Sequence, residues 1–350
     1  MQLQTFVSLS FLRIIFIFLI FLEHYPVTPL RLGGEAVCFF FILSGFVLSY
    51  GYGDKVTIRV ITYKEFLVRR LTKLYPLHWL LLPIGFWITR DVFNQTCYYI
   101  PANVLLLQSW IPNHYAYFSG NGISWFLSTT AFLYIIFPYL WRFLSQLTIR
   151  WWMVIYVILI VLRCFLEVVI PSEVKTAWLY INPFTRWMDF TIGIITFLMY
   201  RELQNKNDFS KISLQLFALF SIILTISTLY MVYQVSYPLA LLWICYSCLI
   251  CGSVLLETIC TNYFQRQYPS LTCIINELSN ISFSFYLLHQ IIILILFNHR
   301  PFNMLDEELI RFITILVICI IMAYVSFHYF EKPIAKRLQV LINGQNNKVR

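Results

Sequence analysis

The chain has 350 residues, of which 60% are hydrophobic, 19% aromatic and only 12% charged. Soluble domains are typically about 45–50% apolar and about 25% charged, so this composition excludes a water-soluble protein, and its low charge excludes a disordered one. In a soluble protein the net charge of +9 would suggest a nucleic-acid partner. In a membrane protein the placement of Lys and Arg matters more than their sum, and no nucleic-acid partner is expected.

Apolar runs of spanning length recur along the whole chain, and one transmembrane helix takes about 20 residues. We therefore predict an all-α integral membrane protein of about ten transmembrane helices, with no room for a second soluble catalytic domain. The first run carries Arg13 and lacks a small-residue cleavage site, so it is predicted to be a helix rather than a signal peptide. The predicted spans are residues 6–22, 36–52, 74–90, 123–141, 151–169, 184–200, 213–232, 238–257, 279–297 and 311–330.

The Lys and Arg residues in the loops and at the ends of these spans divide unequally, with 17 on the side of the termini and 5 on the other side. By the positive-inside rule both termini are predicted to be cytoplasmic, in a multi-pass protein of the cell (inner, cytoplasmic) membrane. Residues 1–335 would form the transmembrane domain and 336–350 a short polar cytoplasmic tail. The long outer stretch at about 91–122 contains the apolar run Val104–Ile111, which is too short to span and is predicted to be re-entrant or interfacial.

Three cysteines, Cys245, Cys248 and Cys251, share one helical face, but no His or carboxylate accompanies them. Small apolar side chains that fill space between helices are therefore favoured over a metal site. We predict no bound metal.

Ionisable residues inside a bilayer are costly, so each is a candidate functional residue. Arg13 and His24 are eleven residues apart. At about 100° and 1.5 Å per residue they share one helix face and lie roughly 16 Å apart along the axis. An imidazole takes a proton from a hydroxyl near neutral pH. The alternative is structural, with Arg13 snorkelling or paired to a carboxylate and His24 interfacial.

Seven segments resemble, in order, the motifs of the membrane acyltransferase-3 family. Leu12-Arg13 to His24 is similar to its opening Arg-x10-His signature, and Gly33 to Phe46 is similar to its second-helix motif. The other segments are Phe66–Leu71 with Tyr75-Pro76, Ser124–Ser128, Pro183–Arg186 with Phe190 and Gly193, Ile281–His289, and Phe330–Pro333. They run from residue 12 to residue 333, so the resemblance covers nearly the whole chain.

The resemblance implies an O-acyltransferase that moves an acyl group, usually acetyl, from acyl-CoA to a hydroxyl of a cell-surface or lipid-linked glycan, as in exopolysaccharide or lipopolysaccharide modification. It implies that His24 is the general base and that Arg13 holds the donor or the developing negative charge. Arg69, Arg70 and Lys73 would meet the phosphates of coenzyme A, or else only set the topology. Acetyl-CoA or another acyl-CoA is then a donor substrate, and no cofactor is permanently bound.

Each of the further candidate residues has a structural explanation beside the functional one. Arg186 needs a partner inside the bilayer, and Asp189 three residues on is a plausible one. Ser44 and Gly45 are expected to permit close helix packing rather than chemistry. The full set of further candidates is Glu35, Trp125, Ser128, Arg186, His289 and Glu331.

Two positions depart from the family pattern, because Thr130 and Cys38 stand where many relatives have Glu and Asp. Glu23 and Glu35 are nearby in sequence and could substitute for these carboxylates. The chain ends soon after the tenth span, so no exported esterase-like domain is expected.

Two other functions stay open. One is a transporter or flippase of a lipid-linked sugar, with Arg13 and His24 lining its pathway, but the sequence shows no inverted repeat and no matched pair of broken helices. The other is an acyltransferase that uses a succinyl or other acyl donor.

Overall fold

The structure is a computed structural model that describes residues 6–90, 96–206, 210–234, 240–297 and 308–338. In these residues the regular structure is helical, with no β-strand, and this confirms the predicted all-α class. Ten long helices each overlap one predicted span. They are α1 (Val7–His24), α2 (Gly33–Leu48), α3 (Tyr63–Thr89), α4 (Trp125–Leu144), α5 (Ile149–Val169), α6 (Pro183–Lys206), α7 (Lys211–Gln234), α8 (Ala240–Gln267), α9 (Pro269–Phe297) and α10 (Glu308–Val325).

Shorter helical segments lie between the long helices or extend them. Four are short α-helices: Asp54–Thr57, Ile100–Val104, His114–Tyr117 and Ser172–Lys175. Three are 3-10 turns: Thr96–Tyr99, Gln108–Trp110 and Gly122–Ser124. Three are π-helical turns: Ser49–Gly53, Thr176–Ile181 and Ser326–Glu331.

Within the described residues, eight helices are long and apolar enough to cross a membrane, and α3 and α6 are not among them. Both carry charged residues, including Arg69 and Arg70 in α3 and Arg186 and Asp189 in α6. Their 27 and 24 residues are nevertheless long enough to cross a bilayer core of about 30 Å. The ten-span count and the cytoplasmic termini therefore stay predictions, and residues 339–350 of the predicted tail lie outside the described residues.

The chain divides into two units. Unit 1 comprises Met1–Val60, Ile136–Tyr180 and Phe184–Ser279. Unit 2 comprises Ile61–Ile135, Ile181–Pro183 and Asn280–Arg350. The predicted site residues are divided between them, with Arg13, His24, Glu35 and Arg186 in unit 1 and the others in unit 2.

In unit 1, α2 and α6 touch through their backbones. A Cβ on Gly45 would overlap the carbonyl oxygen of Phe190, and a Cβ on Gly193 would overlap that of Ile42. Only glycine allows this approach, as expected for small residues at membrane helix contacts. The contact confirms the packing role predicted for Gly45. It also places α6, whose Phe190 is fully buried, in the core of unit 1.

The first turn of α1 is held by a residue from the opposite part of the sequence. The backbone N–H groups of Val7 and Ser8 each donate to the Glu257 carboxylate of α8 at 2.8 Å, and the Ser8 hydroxyl donates to it at 2.6 Å. A carboxylate at a helix N-terminus satisfies unpaired N–H groups and complements the helix dipole. Glu257 therefore fixes the start of the helix that ends in His24.

In unit 2, the segment before α4 is folded onto the first turns of α4. The Ser109 hydroxyl donates to the Trp125 carbonyl at 2.7 Å, and the Gln108 side-chain amide donates to the Ser124 carbonyl at 3.2 Å. Gln108 and Ser109 are buried although they lie in the apolar run Val104–Ile111. The run therefore consists of a 3-10 turn with its flanking residues, and polar side chains attach it to α4. The position of this run in the membrane stays a prediction.

Candidate active site

His24 is the last residue of α1, and its ring has a defined hydrogen-bond partner. Its Nδ1 lies 2.8 Å from the backbone carbonyl oxygen of Ile20, one turn earlier. Because a carbonyl oxygen only accepts, Nδ1 must carry the proton, and in the neutral ring the lone pair is then on Nε2. Nε2 then carries the lone pair with which a general base takes up a proton.

Glu23 joins the end of α1 to the beginning of α2. Its carboxylate accepts the backbone N–H of Gly33 at 2.9 Å. The residue before α2, Leu32, has no side chain that can cap the helix, so Glu23 supplies the cap. The bond also brings Glu23 within electrostatic range of Glu35, which lies in the first turn of α2.

Arg186 is fully buried, and two of its three guanidinium nitrogens donate hydrogen bonds. Nε donates to the Tyr180 carbonyl at 2.7 Å, and Nη1 donates to Asp189 at 2.8 Å, which confirms the predicted partner. The group also lies 5.5 Å from the ring centroid of Phe41 and 4.9 Å from that of Tyr180. Its Nη2 has no hydrogen-bond partner among the described residues.

Asp189 binds two donors in the buried core of unit 1. One oxygen accepts from Arg186, and the other accepts the indole N–H of Trp243 at 2.6 Å. Cys38, which stands where many relatives have Asp, is in electrostatic range of Asp189 and Arg186. Asp189 therefore supplies a carboxylate close to the position at which this chain lacks one.

Tyr180 connects Arg186 to the start of α2. Its ring lies 3.4 Å from the position that a Cβ on Gly34 would occupy, and its electrostatic neighbours include Glu23, Glu35 and Arg186. Burial raises the pKa of the Tyr180 phenol, and the nearby guanidinium only partly offsets this, so the phenol stays a neutral hydroxyl at physiological pH. Together with His24, which follows Glu23 directly, these residues form the active-site cluster: Glu23, His24, Glu35, Tyr180 and Arg186.

Arg13 is half-buried and lies in the first half of α1, away from the end of the helix that carries His24. The helix is continuous from Val7 to His24, so the predicted axial separation of roughly 16 Å between Arg13 and His24 applies. The structure therefore places Glu35 and Arg186 with His24, and Arg13 about three turns away.

In unit 2, Arg69, Arg70 and Lys73 lie together on α3. Arg69 and Arg70 are half-buried, and Lys73 is exposed. The Arg70 guanidinium lies 5.8 Å from the ring centroid of Tyr134, which is a cation–π geometry. The three cations are three or four residues apart at most, so they present adjacent positive charges.

Trp125 and Ser128 are buried and take part in holding the segment before α4. The Trp125 carbonyl accepts from Ser109, while the Ser128 hydroxyl donates to the Leu106 carbonyl at 2.7 Å. Both contacts are structural. Thr130, which stands where many relatives have Glu, is also buried, and its hydroxyl has no partner among the described residues.

His289 and Glu331 are the remaining predicted candidates in unit 2. His289 is fully buried, and its Nδ1 lies 2.7 Å from the Tyr286 carbonyl, so its neutral ring also carries the lone pair on Nε2. The Glu331 carboxylate accepts from the hydroxyls of Ser284 at 2.5 Å and Ser326 at 2.9 Å. These bonds give Glu331 a role in joining α9 to the π turn after α10.

Four carboxamides in unit 2 escaped the sequence analysis. Asn121 donates to the Leu287 carbonyl at 2.9 Å, and a Cβ on Gly122 would lie 3.1 Å from the Gln290 side-chain oxygen. Buried polar atoms are normally hydrogen-bonded. In the described part of unit 2, the buried carboxamide oxygens without a hydrogen-bond partner are those of Asn103, Gln108, Asn121 and Gln290. The only signal in the sequence is an isolated amide within an apolar stretch.

The long apolar helices are typical of a multi-pass membrane protein. Comparison with known proteins identifies its family. A profile of the acyltransferase-3 family, described as an acyltransferase domain, matches residues 6–328. The chain therefore belongs to this family.

One similar protein is acyltransferase MdmB of Streptomyces mycarofaciens, which is 30% identical over 194 residues. The alignment covers 49% of this chain and 47% of that protein, so the chain matches about half the length of this relative. No solved structure matches the chain.

Proposed function

We propose that this protein is a membrane acyltransferase that lies in the cell (inner) membrane and transfers an acetyl group from acetyl-CoA to a hydroxyl of a cell-surface or lipid-linked glycan. The observation that carries the proposal is the contact of His24 Nδ1 with the Ile20 carbonyl, which puts the lone pair of the neutral ring on Nε2. Transfer to a hydroxyl requires a base that removes its proton as the new ester bond forms.

The donor is assigned to the cations of α3. Coenzyme A carries phosphates, and Arg side chains bind phosphate through charge-assisted, often bidentate, hydrogen bonds. Arg69, Arg70 and Lys73 supply three neighbouring positive charges for this purpose.

The acceptor is assigned to a hydroxyl-rich molecule. The four carboxamide oxygens without a partner in the described part of unit 2 accept hydrogen bonds, and sugar hydroxyls donate them. Several hydrogen-bond acceptors in the protein suit a ligand with several hydroxyl groups, and this supports a glycan over an acceptor with a single hydroxyl.

Membership of an acyltransferase family favours transfer over the transporter alternative. A succinyl group would be transferred by the same chemistry, so the experiment compares succinyl-CoA with acetyl-CoA as the donor. Membrane vesicles from a strain that lacks the protein would be supplied with the protein and with radiolabelled acetyl-CoA or succinyl-CoA, and label in the glycan fraction would be counted.

The decisive variant is His24→Asn. The Asn amide can donate to the Ile20 carbonyl from the position of Nδ1 but has no basic nitrogen, so the helix end is preserved while the base is lost. The matched control is His114→Asn, at an exposed histidine of unit 2. We expect label transfer with the wild type and the control, and loss of transfer with His24→Asn. Undiminished transfer by folded His24→Asn protein would remove the base assignment, and no transfer by the wild type with either donor would contradict the proposed function.

A further inference from the structure

The base and the group that stabilises negative charge must serve one carbonyl. When a hydroxyl adds to a thioester, the base contacts the hydroxyl, and the oxyanion forms on the same carbon. Donors that stabilise an oxyanion lie about 2.7–3.1 Å from it. Arg13 lies roughly 16 Å from His24 along the axis of one continuous helix, whereas Arg186 belongs to the active-site cluster at the His24 end of that helix.

Arg186 has the features of a prepared oxyanion donor. Its Nε and Nη1 are occupied by the Tyr180 carbonyl and Asp189, and rings of Phe41 and Tyr180 lie beside the guanidinium. The group is therefore fixed before any ligand arrives. One nitrogen, Nη2, is buried and has no partner among the described residues. Buried guanidinium nitrogens are costly to leave unpaired, so this edge is suited to an oxygen atom of a ligand.

A chain of contacts places Arg186 at the same end of unit 1 as His24. Its guanidinium stacks on Tyr180, the Tyr180 ring lies against Gly34, and the adjacent Gly33 is bonded to Glu23, which precedes His24. Arg186 is also in electrostatic range of Glu35 in the first turn of α2.

We propose that Arg186 Nη2 is the oxyanion donor of this enzyme and acts on the carbonyl attacked by the hydroxyl that His24 deprotonates. This rests on the proposed function. The acceptor O–H bond breaks, its proton moves to His24 Nε2, and the oxygen forms a bond to the thioester carbon. The carbonyl π electrons move to its oxygen, which Nη2 then hydrogen-bonds. When the carbonyl re-forms, the C–S bond breaks, and the coenzyme A thiolate takes the proton from His24.

A purely structural role for the Arg186–Asp189 pair makes a different prediction. In that case its loss would lower the amount of folded protein but leave the turnover of each folded molecule unchanged. Removing Arg186 alone would leave Asp189 buried and unpaired, and misfolding would then obscure the result. The test variant is therefore the double substitution Arg186→Gln with Asp189→Asn, which keeps polar groups of similar size and removes both charges.

The same unit offers a matched control. Arg163 is also almost fully buried, and it pairs with Glu167 at 2.9 Å and donates to the Leu179 carbonyl at 3.0 Å. The double substitution Arg163→Gln with Glu167→Gln removes an ion pair whose arginine is as buried as Arg186 and whose glutamate is 17% exposed, and it leaves Nη2 of Arg186 in place. Both double variants and the wild type would be assayed in vesicles that carry the native acceptor, with acetyl-CoA as the probe. Release of free coenzyme A would be normalised to folded protein, which is measured by size-exclusion chromatography.

We expect the Arg186/Asp189 variant to lose about 10²–10³-fold in kcat, the usual effect of removing an oxyanion donor, with KM for acetyl-CoA unchanged. The Arg163/Glu167 variant should keep the wild-type kcat. Wild-type kcat in the folded Arg186/Asp189 variant, or equal losses in both double variants, would overturn the inference while His24-dependent transfer still upheld the proposed function. An inactive wild type would instead contradict the proposed function.

Discussion

The indole N–H of Trp243 donates to Asp189 at 2.6 Å, and this bond joins α8 to α6 in the buried core of unit 1. It fixes one carboxylate oxygen so that the other faces Arg186. The orientation of the guanidinium thus depends on a tryptophan that is distant in sequence and that no motif marks as functional.

Replacing Trp243 with Phe should destabilise the protein, because one oxygen of buried Asp189 loses its donor. A buried polar atom left unsatisfied costs about 1–3 kcal/mol. The expected result is a lower Tm of the detergent-purified protein. Trp151→Phe is the control, since Trp151 is 58% exposed, and it should leave Tm unchanged. Equal Tm values for both variants would mean that the Trp243 bond contributes nothing measurable.

Gly193→Ala should abolish close packing of α2 on α6. The new methyl group would overlap the Ile42 carbonyl oxygen, and backbone atoms on both helices leave no flexible side chain to move aside. We expect little folded protein by fluorescence-detected size-exclusion chromatography. Gly34→Ala is the control for the added methyl group, because its Cβ would lie 3.4 Å from the Tyr180 ring, an ordinary van der Waals contact. Normal yields of Gly193→Ala would contradict the described contact.

Glu23→Ala should loosen the connection between α1 and α2 by removing the cap on Gly33. Loss of an N-terminal cap typically costs about 0.5–2 kcal/mol. Glu23→Gln keeps an oxygen that accepts the Gly33 N–H, so it should retain most of the wild-type Tm. If both variants melt at the same lowered temperature, the negative charge of Glu23 rather than its hydrogen bond matters, and wild-type Tm values in both would contradict the predicted role of the cap.

Substituting Ala for both Arg69 and Arg70 should raise KM for acetyl-CoA, because hydrogen bonds between charged groups contribute about 1.5–3 kcal/mol each. An increase of about tenfold or more is expected from the loss of one such bond. Lys64→Ala, at an exposed cation of the same helix, is the matched control. An unchanged KM in the double variant would leave these arginines as determinants of topology.

The sequence supported the helical class because apolar runs of spanning length recur along it, and the ten long helices overlap those runs. It also singled out His24 and Arg186 as candidates, since ionisable residues are rare in apolar stretches, and it predicted the pairing of Arg186 with Asp189 that the structure shows. It did not reveal Tyr180 or Trp243, because aromatic residues occur throughout this chain and only the fold selects two of them.

Helix periodicity related Arg13 to His24 but gave no information on contacts between helices. Arg186 is distant from His24 in the sequence, and only the packing around Tyr180 and Gly34 shows that they share one end of unit 1. In the same way, the amides of Gln108 and Asn121 are unremarkable polar residues until the fold buries them.

The capping of α1 by Glu257 has a consequence for how the protein is made. The ribosome delivers α1 to the membrane long before α8 has been synthesised, so the helix must first insert with the N–H groups of Val7 and Ser8 unbonded to protein. Only when Glu257 arrives does the start of α1 become fixed. Anchoring of the start of α1 is therefore a late event in biogenesis, completed after about three quarters of the chain has been synthesised.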